Sequence, residues 1–289
     1  LARILVMREF ARRPKRANSL ETMGLVAVRY PKLESITQLP KFPDGTARLT
    51  LPEWQDFLKI ALDFHVRENT FVNLPDSWRK WGGQRLSGKK LLPPESKEKQ
   101  SNQIKKWPQC NPAGMQNRLV RLLGYVLKLN PASAHGRDAL DGILRCAWDD
   151  LTRVGLLQVA STGRYLALED MAFAPISKGW VCPVTRRVLD VTLKGVTPYL
   201  PRTEPTDKVA ICRPIELPKC FLLDKDFPSA DERLNGIRQW LTDDATVVSL
   251  RGEGLWSDLS DRIVEGGGYF RAVEHSAQQP GSRLQQYEN

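Results

Sequence analysis

Apolar residues recur along this chain in distinct rhythms, and each rhythm predicts a different kind of element. Trp54, Phe57, Leu58, Ala61, Leu62 and His65 fall at helical spacing. Thr50 ahead of Pro52 and Glu53 supplies an N-cap, a proline in the first turn and an early acid, so a helix opens there. On such a face His65 reads as a packing residue and not as a ligand. Leu119, Leu122, Leu123, Val126 and Leu127 predict a second amphipathic helix, stopped at Asn130-Pro131. Leu140, Ile143, Leu144, Ala147, Leu151 and Val154 predict a third, ending at Gly155. Two short runs follow, Leu156 to Val159 and Arg164 to Leu168, joined by a turn at Ala160 to Gly163, and they predict a β-hairpin.

Helices followed by a small hairpin predict a winged-helix-like unit over residues 113–175, with Leu119, Leu123, Leu140, Leu144 and Leu151 in its core. The helix before the hairpin carries Asp138, Asp141, Asp149 and Asp150 against Arg137, Arg145 and Arg153. A face so balanced does not favour phosphate, which suits a scaffold or strand-separating wedge better than a reader of base sequence.

On the N-terminal side, residues 1–112 form a helical and loop-rich basic region. Ser19 and Thr22 open a predicted helix through Leu25 to Val28, ended by Pro31, and Pro40, Pro43 and Asp44-Gly45 mark the loop that follows. From Pro75 to Pro112 the chain turns polar and basic, with Trp78, Trp81 and Trp107 among the cations. Aromatics so interspersed serve either as a stacking groove for single strands or as pegs that hold a loop to its own domain.

After the hairpin, residues 176–229 read as a β-rich connector, around Trp180 to Pro183, Val188 to Leu193 and Val196 to Tyr199. Residues 230–289 then alternate: a helix from Ala230 to Leu241, a strand from Thr246 to Leu250, a helix from Leu255 to Val264 and a strand from Tyr269 to Glu274. Alternation of that kind predicts the start of a parallel α/β sheet. The expected class is therefore a multi-unit α+β chain.

Charge adds a class of partner. The chain has 289 residues, and 43 Lys and Arg against 33 Asp and Glu give a formal charge of +10, which favours polyanions. The basic clusters Arg12, Arg13, Lys15 and Arg16, and Lys89, Lys90, Lys105 and Lys106, are the candidate nucleic-acid contacts. No window approaches the length of apolar sequence that spans a membrane, and the opening run Leu1 to Met7 is too short for a secretory signal, so a cytoplasmic protein is expected. Leu1 in place of a methionine and the barely begun helix at Ser282 to Asn289 give both ends the look of cuts. Five cysteines, Cys110, Cys146, Cys182, Cys212 and Cys220, include no Cys-x-x-Cys pair. Ordinary reduced thiols are expected, with long-range convergence of Cys182, Cys212 and Cys220 on zinc as the alternative and no other metal site.

At the C-terminal passage the residues resemble a known family. Val247 to Leu250, then Leu255 to Ile263, then Phe270 to Glu274 with His275, and Arg283 eight positions on, resemble the second RecA-like lobe of superfamily-two helicases. The glutamine that DEAD-box members carry three residues before that arginine is Pro280 here. The stretches Glu274-His275-Ser276-Ala277-Gln278, Trp180-Val181-Cys182-Pro183, Arg8 to Arg13 and Asn18 to Thr22 resemble large bacterial DEAD/DEAH-type helicases of anti-phage defence islands, the Druantia helicase subunit kind.

That resemblance implies an intact protein that hydrolyses ATP with magnesium between two lobes, acts on nucleic acid (DNA ahead of RNA), and works beside the remaining helicase lobes and further defence-system subunits. His275 and Arg283 would then lie near phosphates of the tracked strand. This chain encodes no Gly-x-x-x-x-Gly-Lys-Ser/Thr loop and no acidic magnesium box, and Gly266 to Gly268 precede a predicted strand, so no catalytic residue is assigned within it. The alternative from another class is a winged-helix DNA-binding regulator or defence adaptor without a motor.

Overall fold

The computed structural model describes residues 10, 20–21, 23–43, 48–69, 72, 90–101, 104–160, 163–203, 205–219 and 227–266. They fall into two compact units, Leu1–Lys219 and Cys220–Asn289. The described elements are mixed α+β, helices with several small sheets. No helix among the described residues is long and apolar enough to cross a membrane.

The first unit is organised around helix α1, Leu51–Asn69. Its start is closed reciprocally: Thr50 N donates to Glu53 Oε2 at 2.7 Å and Glu53 N donates to Thr50 Oγ1 at 3.4 Å. Every residue from 57 to 63 is buried, so this helix is enclosed on all faces and not on one stripe. Helices α2 (Arg118–Leu127) and α3 (Ala134–Arg153) share its core, with Asn117 and Ser133 as side-chain N-caps. Leu119, Leu123, Leu140, Leu144 and Leu151 are all buried there. Trp54 Nε1 donates to Asp150 Oδ2 at 2.9 Å, tying α1 to α3. Trp107 is a peg: it is buried, donates from Nε1 to Leu144 O at 2.7 Å, stacks on His65 at 5.0 Å and meets Trp148 edge-on at 5.5 Å.

Four short strands form one sheet beside these helices: β2 (Lys90–Leu92), β3 (Ile104–Lys106), β4 (Gln158–Ala160) and β5 (Gly163–Tyr165), in the order β3-β2-β5-β4. The last two are the predicted hairpin. Gly163 adopts φ +114°, and a Cβ there would lie 2.9 Å from Leu91 O, so only glycine lets β2 close against the hairpin. Leu91 pairs with Arg164 across that junction.

The N-terminal expectation of a helix through Leu25 to Val28 is corrected. Residues Val26–Arg29 form strand β1, antiparallel to β6 (Ala172–Pro175). Gly24 at φ +72° ends the preceding turn, and the β-branched Val26 and Val28 suit a pleated partner better than a helix. A third small sheet has the order β8-β7-β9, from β7 (Lys178–Val181), β8 (Val188–Leu189) and β9 (Arg213–Glu216), with one helical turn α4 (Asp207–Ala210) before β9.

In the second unit, α5 (Ala230–Asp243) packs against α6 (Ala245–Gly252) and α7 (Asp258–Glu265). Here the strand predicted at Thr246 to Leu250 is corrected to helix. Asp244 caps it by accepting from Thr246 N at 2.9 Å and Val247 N at 3.0 Å. Val247 and Leu250 turn inward at helical spacing while Val248 is 52% exposed, so packing of this helix against α5 overrides the strand preference of paired valines. The described residues of this unit therefore hold helices and no strand, and the alternation expected of an α/β lobe does not appear among them. The strand predicted at Tyr269 to Glu274, with His275 and Arg283, lies outside the described residues.

Replacing Leu144 by Asp should unfold the first unit, because truncating a buried leucine alone costs about 2–5 kcal/mol and an unpaired buried carboxylate adds to that. Urea unfolding followed by tryptophan fluorescence should show the native baseline lost, and a cooperative transition like that of the unaltered chain would contradict the core assignment.

Candidate functional site

The densest chemistry among the described residues is buried inside the first unit. Lys59, on α1, ion-pairs with Asp63 at 2.7 Å and with Asp190 at 2.9 Å. One turn after Asp63, Arg67 contacts Glu21 directly, lies 3.9 Å from Asp63 and donates to Tyr199 Oη at 3.1 Å. Tyr30 Oη donates to Asp63 Oδ1 at 2.9 Å. Helical spacing aligns Lys59, Asp63 and Arg67 on one side of α1. The turn before β1 delivers Glu21, the end of β1 delivers Tyr30, the segment after β8 delivers Asp190, and a later loop delivers Tyr199.

Burial and charge pull these groups in opposite directions. Burial raises the Glu21 carboxyl from 4.5 to about 7 and outweighs the attraction of Arg67, with Asp63 and Asp190 adding to the rise. Burial would raise Asp190 too, but Lys59, with Arg67 and Arg29, holds it below the ordinary carboxylate range. Lys59 itself stays charged: burial works against its ammonium form, yet Asp190, Asp63 and Glu21 more than compensate. Burial and the charge of Asp63 push the Tyr30 phenol well up, and burial lifts Asp56 to about 6.

The donor atoms of Glu21, Asp63 and Asp190 lie within 4.8 Å of one another, a spacing that could hold a cation. Lys59 and Arg67 already answer those carboxylates, so a divalent ion would have to displace the ammonium from two partners. The arrangement is a closed charge network. Sequence periodicity missed it, because Lys59, Asp63 and Arg67 recur at helical spacing and look like a solvated face. His65 is buried as expected of a packing residue, and burial lowers its imidazole to about 3, which keeps it neutral.

Of the candidate nucleic-acid contacts, Lys90, Lys105 and Lys106 are described. They lie on neighbouring parallel strands β2 and β3, with Leu91 opposite Lys105 and Leu92 opposite Lys106. Arg164, which sequence reasoning did not single out, joins them across β2 through its pairing with Leu91. Arg12, Arg13, Lys15, Arg16, Lys89, His275 and Arg283 lie outside the described residues, as do Trp78 and Trp81. On α3 the exposed charges are Asp138, Arg145, Asp149 and Arg153, two of each sign, whereas Asp150 is buried on Trp54 and Asp141 accepts from Cys110 N at 2.7 Å. Cys182 and Cys212 are buried together, and Cys220 is outside the described residues.

No family model, no curated protein and no solved structure matches the chain.

Two outcomes are expected from the charge network. Lys59→Met leaves Asp63 and Asp190 facing each other without their cation and should cost about 3–5 kcal/mol in urea unfolding at pH 7; a loss under 1 kcal/mol would show that the ammonium is dispensable.

Glu21 gives a pH signature. Its folded value lies above its unfolded one, so its contribution to stability is complete below about pH 4.5 and is lost as pH rises through about 7. Glu21→Gln removes that loss: relative to the unaltered chain, the variant should gain up to about 3 kcal/mol between pH 4.5 and 8, at about 1.4 kcal/mol per pKa unit. A difference between the two proteins that stays constant across this range would overturn the assignment.

Proposed function

We propose that this chain is part of an ATP-dependent nucleic-acid helicase or translocase of the superfamily-two, anti-phage kind, and that its first unit contains a winged-helix-like scaffold or wedge which touches the nucleic acid. The observation that carries the reading is the sheet order β3-β2-β5-β4 beside α1, α2 and α3. A winged helix needs a strand between its first and second helices that pairs with the returning strand of its hairpin. Here β2 follows α1, precedes α2 and pairs with β5, the returning strand of the hairpin.

Two further features favour a wedge over a reader of sequence. Helix α3, which would enter a major groove, exposes charges of both signs and offers phosphate no net attraction. The hairpin instead exposes Val159, at 72%, directly opposite Arg164 and in line across Leu91 with Lys105. An apolar side chain next to cations suits a split duplex, with the cations on the backbone and the apolar surface against an unstacked base. ATP and magnesium belong to other parts of the motor, because the chain encodes no phosphate loop. The start of a second RecA-like lobe in residues 230–289 rests on the resemblance at Glu274 to Gln278 and Arg283 alone, since α6 stands where that lobe would have a strand.

The test is binding of the chain to labelled single-stranded, duplex and forked DNA of unrelated sequences. Affinity should be sequence-independent, with dissociation constants of roughly 10⁻⁴ to 10⁻⁶ M that weaken steeply as salt rises. Lys105→Glu with Lys106→Glu should weaken binding to all substrates alike, and 2-aminopurine at the fork junction should brighten with the unaltered chain and not with Val159→Asp. Tight binding to one duplex sequence, abolished by Arg145→Ala and indifferent to the lysine changes, would instead establish the regulator.

A further inference from the structure

Cys182 and Cys212 face each other across two antiparallel strands. β7 and β9 pair Lys178 with Glu216, Gly179 with Ile215, Trp180 with Pro214 and Val181 with Arg213. Continued by one residue, that register sets Cys182 opposite Cys212. Their amides bond elsewhere: Cys182 N donates to Arg187 O at 2.9 Å across the β7–β8 turn, and Cys212 N donates to Gly195 O at 2.8 Å. An opposed pair without mutual backbone bonds is the close kind, with Cα atoms roughly 4.5 Å apart, inside the span of roughly 4.4–6.8 Å that a disulfide bridges. Both are free thiols, both are buried, and they pack with Leu189, Trp180 and Tyr199.

The two sulfurs are not equivalent. Cys182 Sγ receives a hydrogen bond from the Cys212 thiol and another from Thr185 N at 3.4 Å, and it lies 2.9 Å from Thr197 Oγ1. The Thr197 hydroxyl also accepts from Tyr199 N at 3.1 Å, and it hydrogen-bonds Cys212 as well as Cys182. The hydrogen bond from Cys212 first, then those from Thr185 and Thr197, bring the Cys182 thiol down to about 5 in spite of burial. The same bond, with burial, pushes Cys212 up. The hydrogen bonds from Thr185 and Cys212 thus favour the thiolate at Cys182 over Cys212.

We propose that Cys182 and Cys212 form a redox-active cross-strand dithiol, with Cys182 as the sulfur that attacks, Cys212 as the one that resolves, and a small peroxide as the oxidant. Burial of both residues excludes bulky disulfides in favour of a molecule the size of hydrogen peroxide. The Cys182 thiolate attacks one peroxide oxygen; an S–O bond forms, the O–O bond breaks, and the departing hydroxide takes a proton to become water. The Cys212 sulfur then attacks the sulfenic Cys182 sulfur; the S–S bond forms, the S–O bond breaks, and the second hydroxide leaves as water with the Cys212 proton. Two thiols lose two electrons, and one peroxide becomes two waters. The new bond would fasten the β7–β8 turn to the strand entering β9, on either side of the segment that delivers Asp190 and Tyr199 to Lys59 and Arg67.

The experiment treats the folded full chain with hydrogen peroxide, blocks remaining thiols with a maleimide and maps the peptides without reduction. A peptide linking Cys182 to Cys212 is expected in the unaltered chain and in Cys110→Ser, Cys146→Ser and Cys220→Ser. In Cys212→Ser the sulfenic acid at Cys182 should be captured by dimedone. Linkage of either cysteine to Cys220, dimedone capture at Cys212 in place of Cys182, or no linked peptide under peroxide that oxidises the urea-unfolded chain would each overturn the proposal. The peptide map of the unaltered chain decides the matter even where a variant fails to fold.

Discussion

Lys59 holds a positive charge inside the core of the first unit, and much of that unit is arranged around it. An ammonium removed from water is tolerated only where oppositely charged partners replace its hydration. Asp63 comes from the same helix, one turn on, and Asp190 from a segment far along the chain. Arg67 repeats the pattern one turn later with Glu21 and Tyr199. The constraint therefore reaches beyond one ion pair: the turn at Glu21, the strand end at Tyr30 and the loops at Asp190 and Tyr199 must all return to α1 before its charges are satisfied.

The constraint explains why α1 is enclosed on every side although its composition is amphipathic. Apolar neighbours from α2, α3 and Trp107 cover the stripe that its sequence advertises, while the polar stripe is covered by the segments that bring its counter-charges. Trp54 with Asp150 fastens the start of the helix to α3 by the same logic, an indole N–H answering a buried carboxylate. Such networks specify one arrangement because any other leaves a charge unpaired. They also couple the β7–β8–β9 sheet to the helical core, since Asp190 and Tyr199 lie between its strands, so the state of the Cys182–Cys212 pair bears on the ground that holds Lys59.

The surface follows a different rule. Where α3 would meet duplex DNA its charges cancel, and cations gather on the sheet beside the hairpin. Under the proposed function, this division favours non-specific contact with a backbone over reading of bases. A net charge of +10 alone could not make that distinction, because it says how much positive charge there is and not which face bears it.

Local rhythm alone determined the three long helices of the first unit, the cap at Thr50, the hairpin after Gly155 and the buried leucines of α2 and α3, because amphipathic spacing and capping are properties of neighbouring residues. It misjudged Leu25 to Val28 and Thr246 to Leu250, where short apolar runs fit helix and strand equally. Pairing with Ala172–Pro175 decided the first, and the Asp244 cap with packing against α5 decided the second. Only the tertiary structure could assign β2 to the hairpin, bury Lys59, Asp63, Arg67 and Glu21 together, or set Cys182 against Cys212. Each of these unites residues distant in the chain, and the energy of a buried charge or a strand pair depends on which partner arrives, a quantity no single segment contains.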